Sequence, residues 1–151
     1  LRISNFILPD ANLRQRFKQR LDAHGLDVFN ALSMEAATAA YREGDVWLDD
    51  LLIYLSDNRR WFAAQLAHRI PALTLMDADA TYLAWIDCSA LGLSDDELKC
   101  HMIEHASIVP SMGIGFGEAG SGFIRLNLGC PRQYLEQAIS GLAHLMIEHA
   151  V

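Results

Sequence analysis

The sequence predicts an α+β domain, with helices covering one side of a small, mostly antiparallel sheet. Three observations carry this. The first 70 residues hold apolar residues at helical spacing, most clearly over residues 45–70. Short alternating or apolar runs then appear at 73–76, 81–87 and 123–128. A last amphipathic stretch closes the chain at 131–148. Strands too short for a crossover fold, separated by helices, suit one antiparallel layer with helices on it.

In chain order, Arg2 to Leu8 is a strand-like apolar run ended by Pro9-Asp10. Ala11 to His24 reads as a helix, with Leu13, Phe17 and Leu21 at helical spacing and Gly25 as its stop. A second helix is predicted after Ser33, a residue type that caps helices, and ends near Gly44. Asp45 then opens a long helix striped by Leu48, Leu51, Leu52, Leu55, Phe62 and Leu66 and closed by Ile70-Pro71. Leu73–Met76 and Thr81–Asp87 are predicted strands joined by a turn at 77–79. Ser94 with Glu97 forms a capping-box pattern for a helix to about His105. Ser107–Val109 reads as a short strand, Gly113–Gly122 as a glycine-rich loop, Phe123–Leu128 as a strand, and Pro131 as the start of the final helix.

Composition narrows the function. The chain has 151 residues, 52% hydrophobic and 21% charged, with net charge -7. No basic stripe is present, so a nucleic-acid partner is not expected. No apolar run reaches the length of a membrane span, and no membrane partner is expected. Cys88, Cys100 and Cys130 are odd in number and form no CxxC, which predicts a reducing, cytoplasmic setting. The high apolar content suggests surface covered by a partner chain or by further parts of the same protein. The start, without Met or a signal-peptide pattern, reads as a cut within a longer chain.

Several patterns invite a chemical reading. Gly115 to Gly120 matches GxGxxG, but a strand rather than a helix follows it, so a nucleotide site is not predicted. His101-Met102-Ile103-Glu104-His105 matches HxxEH, yet no third-ligand motif accompanies it and no metal site is predicted. In the strand after the loop, alternation sends Ile124, Leu126 and Leu128 to one face and Phe123, Arg125 and Asn127 to the other. An arginine there needs a partner. It is either a nearby Asp or Glu in a structural ion pair, or a bound anion such as a carboxylate gripped by the planar fork. The glycine-rich loop beside it, which lets backbone approach a small ligand, leans towards the second.

These residues also carry a resemblance. GFGEAGSGFIRLNLGCPR is similar to the C-terminal signature of the pyridoxal-phosphate enzymes of the class I/II aminotransferase family. AYREGDVWLDDLLIYLSDN and ATYLAWIDCSALGLSDDEL resemble its cystathionine β-lyase (C–S lyase) branch, and LRISNFILP resembles the stretch just after the cofactor lysine. The resemblance implies an aminotransferase-type small C-terminal domain, divided as residues 1–44 from the large cofactor-binding domain, 45–70 as a connecting helix and 71–151 as the small domain. It implies that Arg125 grips the α-carboxylate of an amino-acid substrate and that Arg2 contacts the cofactor phosphate. The Schiff-base lysine would lie upstream of Leu1; Lys18 and Lys99 read as solvent-facing helix residues. No catalytic residue is therefore expected in the chain, pyridoxal 5'-phosphate is not expected bound to it alone, and the missing N-terminal large domain and a homodimer partner are expected in the intact enzyme. The competing expectation is a non-enzymatic α+β module that binds amino acids or serves oligomerisation.

Overall fold

The structure, a computed structural model, describes residues 3–26 and 30–148, with the side chains of 145–148 excepted. The chain divides into two compact units, Leu1–Asp50 and Leu51–Val151.

In the first unit, residues 3–10 form no strand. Among the described residues no strand pairs with this segment. Its approach to helix α1 (Ala11–Ala23) is instead held by Arg14, whose guanidinium donates to the carbonyls of Leu8 and Pro9. Asp10 caps α1 by accepting from the Leu13 N–H at 2.7 Å, and the Phe6 and Phe17 rings meet at 4.8 Å. Helix α2 (Ala31–Glu43) starts earlier than the sequence predicts. Asn30, not Ser33, is its cap, accepting from the Leu32 N–H at 3.0 Å. An Asn three positions upstream competes equally well for the cap, which leaves Ser33 inside the helix and buried.

Helix α3 (Asp45–Arg69) runs on into the second unit. There the chain builds β1 (Thr74–Leu75), β2 (Leu83–Asp87), α4 (Asp95–Glu104), β3 (Ser111–Met112), β4 (Phe123–Asn127) and α5 (Arg132–Glu148). The sheet has order β1-β2-β4-β3, and every neighbouring pair is antiparallel. The capping box of α4 is present in full: Ser94 accepts from the Glu97 N–H, and the Glu97 carboxylate accepts from the Ser94 N–H. The expected strand at Ser107–Val109 lies instead at Ser111–Met112. Ser107 takes a left-handed conformation (φ 56) and the Ile108 N–H closes back on the Met102 carbonyl, so the chain is still turning out of α4 at that point.

One face of the sheet carries the core. Ala84 and Ile86 of β2 and Ile124 of β4 are fully buried with Phe62 and Leu66 of α3, Leu98 and Met102 of α4, and Leu135, Ile139 and Leu142 of α5. Each large side chain buried this way stabilises the fold by about 1.5–3 kcal/mol. The α3 stripe departs from the sequence reading in its middle. Leu48 and Leu52 are exposed, and the fully buried position between Leu55 and Phe62 is taken by a polar residue, Asn58.

Candidate functional site

The strict alternation of β4 turns Ile124 into the core and sends Phe123 and Arg125 to the opposite face, where both are half-buried. Arg125 sits in the interior of the sheet. Its register partner on β2 is Trp85 and on β3 is Ser111. Side chains at directly opposed positions lie close enough to touch, and Arg125 meets Ser111 in this way. Nη2 of Arg125 donates to Ser111 Oγ at 3.2 Å. The guanidinium carbon stands 4.6 Å from the centroid of the Phe116 ring. Phe116 meets Trp85 edge-on at 5.6 Å, and Trp85 stacks on Phe123 at 5.7 Å with 18° between the rings.

Among the described residues Arg125 has no Asp or Glu at ion-pair distance. Of the two partners open from sequence, the structural ion pair is thus not formed with any described residue. What remains is a half-buried guanidinium over the Phe116 ring, with one neutral hydrogen bond and several donors left over. Such a group favours an anion, and a planar carboxylate suits its fork. Arg2, the residue expected at a cofactor phosphate, lies outside the described residues.

Both ends of β4 are anchored by residues that sequence reasoning did not single out. At the entry, Asp95 in the first turn of α4 accepts from Ser121 Oγ at 2.8 Å and from the Gly122 N–H at 3.0 Å. The loop before it folds into two short 3-10 turns, Gly113–Phe116 and Glu118–Gly120. Gly113 and Gly120 bring backbone against backbone; a Cβ on either would run into the other's carbonyl oxygen. Phe116 ends the first of these turns. At the exit, buried Asn58 donates from Nδ2 to the Leu128 carbonyl at 2.9 Å and the Cys130 carbonyl at 3.0 Å, and accepts from Arg132 Nε at 3.0 Å. Tyr54 adds a bond to the Cys130 carbonyl at 3.1 Å, and the Arg132 guanidinium lies 4.8 Å from the Trp61 ring centroid. A polar residue at an apolar heptad-like position was the available signal for Asn58. Asp95 offered none beyond its place in a first helical turn.

Burial, and the Asp87 carboxylate after it, push the Cys88 thiol up to about 12. The Cys100 thiol is raised by its hydrogen bond with Glu104, and burial raises that of Cys130. Each is therefore a poorer thiolate source than a free cysteine. The rings of His101 and His105 stack at 5.0 Å, and among the described residues no group of three or more His, Cys, Asp or Glu is placed to hold a metal ion. No helix is long and apolar enough to cross a membrane, among the described residues.

No protein-family model matches the chain. Individual relatives do. The chain is 38% identical over 139 residues to Cystathionine beta-lyase PatB of Bacillus subtilis, a match covering 92% of this chain and 36% of that protein. It is 37% identical over 137 residues to Protein MalY of Escherichia coli, covering 90% and 35%. Among solved structures, cystalysin from Treponema denticola, which contains a pyridoxal 5'-phosphate cofactor, superposes with a TM-score of 0.88 at 28% identity, covering 94% of this chain and 36% of that one. The chain thus spans about a third of the length of the curated relatives it matches.

Proposed function

By sequence and by fold the chain matches the C-terminal part of the pyridoxal-phosphate-dependent class I/II aminotransferase family, in its C–S lyase branch, and from that premise we propose that it supplies the substrate-carboxylate site of such an enzyme. Arg125 binds the α-carboxylate of an amino acid. The observation that carries this is a half-buried guanidinium in the interior of a sheet, held by Ser111 and Phe116 and paired with no described carboxylate. A bidentate grip there orients the substrate's α-carbon, because two parallel hydrogen bonds fix a plane as well as a distance.

The described residues fit a carboxylate and do not by themselves fit the cofactor. Lys18 on α1 and Lys99 on α4 are both exposed, and neither stands in the sequence context of a Schiff-base lysine. On this reading that lysine and most of the cofactor shell lie outside the 151 residues, in a large domain to which residues 1–44 contribute and α3 connects, and the working unit is a homodimer. Arg2 is assigned to the cofactor phosphate on the resemblance alone. The enzyme's class is C–S β-lyase or aminotransferase.

The test is Arg125→Ala and Arg125→Lys in the protein carrying this chain. Losing a desolvated, charge-assisted contact costs about 2–5 kcal/mol, so the alanine variant should lose roughly 30-fold to several-thousand-fold in kcat/KM. Lysine should recover part of that, since its ammonium is a point charge without the fork. The bound-cofactor spectrum should not change. An alanine variant with undiminished kcat/KM would make Arg125 a structural residue.

A further inference from the structure

We propose that Phe116 is a positioning residue for the substrate carboxylate: its ring seats the Arg125 guanidinium from one side and leaves N–H groups of the fork for the ligand. The inference rests on the reading of Arg125 as the carboxylate site. It begins from a misfit. Phe116 is 58% exposed and is no part of the apolar core, so burial does not explain a phenylalanine at this place. What its ring does touch is specific. It lies under the Arg125 guanidinium at 4.6 Å and against the edge of Trp85 at 5.6 Å.

The geometry has consequences for the fork. A phenyl face beneath a guanidinium attracts the cation through the ring quadrupole and keeps water from that side. Carboxylate recognition uses a pair of N–H groups of the fork, and a ring that approaches from one side leaves the N–H groups of the other sides for it. Ser111 Oγ takes one in-plane donor of Nη2 and sets the rotation of the group within that plane. Together the ring and the hydroxyl restrict the guanidinium before any ligand arrives, which reduces the ordering cost of binding. The ring is itself held. It ends a 3-10 turn whose base is closed by the Gly113–Gly120 backbone contact, and the chain following that turn is tied to α4 through Asp95.

The prediction is chemical rather than steric, and substitutions of similar size separate the two. The experiment measures competitive inhibition constants, in the protein carrying this chain, for an amino acid and for the matching amine that lacks the carboxylate. Phe116→Leu keeps an apolar side chain without a π face and should weaken the amino acid about threefold to tenfold, in line with a partly desolvated cation–π contact, while leaving the amine unchanged. Phe116→Tyr should restore the preference. Arg125→Ala, run beside them, should abolish it. If Arg125→Ala abolishes the preference and Phe116→Leu retains it in full, the positioning role is overturned and the arginine assignment stands. If Phe116→Leu weakens both compounds equally, or Phe116→Tyr fails to restore, the ring acts through packing and the proposal fails. If Arg125→Ala leaves the preference intact, the carboxylate assignment falls and the role of Phe116 falls with it.

Discussion

Cys88 shows how one buried group ties stability to pH. It follows the last residue of β2 at 2% exposure, and burial followed by the neighbouring Asp87 carboxylate raises its thiol from 9.0 to about 12. A folded value above the unfolded one means that the neutral thiol is favoured by the fold. Its contribution is complete below about pH 9 and is lost as pH rises towards 12. Urea melts at pH 8 and pH 10.5 should therefore show an alkaline loss of stability that is smaller in Cys88→Ala than in the parent. Iodoacetamide at pH 8 should leave Cys88 unlabelled until the chain is denatured. Labelling of the native thiol at the rate of a free cysteine would contradict its burial. Arg125 was legible at this scale because a charged residue inside an alternating apolar run demands a partner. Its actual partners, Ser111 and Phe116, were not, since nothing local to β4 names them.

At the scale of elements, the decisive contact joins α3 to the segment after β4. Asn58 is fully buried and satisfies two backbone carbonyls and the Arg132 Nε–H at once, the bonds to Cys130 and Arg132 being only partly buried. Asn58→Ala leaves the Leu128 carbonyl and the Arg132 Nε–H without this partner, while the Cys130 carbonyl keeps the Tyr54 hydroxyl, and each buried unsatisfied group costs about 1–3 kcal/mol. With water able to reach part of the site, we expect a loss of about 2–4 kcal/mol in urea unfolding. Asn58→Asp should also destabilise, because a carboxylate cannot donate to the two carbonyls. A change below about 0.5 kcal/mol in the alanine variant would show that this network is not a structural tie. The capping box of α4 belongs to the same scale and was fully legible, since Ser94 and Glu97 stand three residues apart and bond to each other. Hydrogen bonds from Ser94 are what hold the Glu97 carboxyl below its ordinary range.

For the whole molecule, the two units differ in how much they bury. Among the described residues α1 buries none and α2 only Ser33, whereas the unit Leu51–Val151 holds the entire apolar core. Local opening follows buried contact. Hydrogen exchange on the 151-residue chain should therefore show β2, β4 and α5 exchanging only through global unfolding, with α1 and α2 exchanging faster by orders of magnitude. Equal protection across α1 and β4 would show that the first unit is stabilised by more than its own packing. The same exposure of apolar residues on the first two helices, Leu13, Leu32 and Met34 among them, fits the proposal that this strip belongs to a larger domain.

Local chemistry was enough for the sequence to determine where most helices and strands lie, which face of β4 is apolar, how α4 begins, and the order of motifs that carries the family resemblance. Periodicity and capping are encoded within a few residues, so they can be read without a fold. The short strand β3 escaped that reading, because two residues have no period and their place is set by pairing Ser111 with Arg125 and Met112 with Ile124. The tertiary structure alone decided that Arg125 meets a hydroxyl 14 residues away and an aromatic ring rather than a carboxylate. It likewise decided that Asn58 belongs with a carbonyl 70 residues further on. Such contacts depend on how the chain packs, and short-range sequence patterns carry no record of which distant residues will face one another.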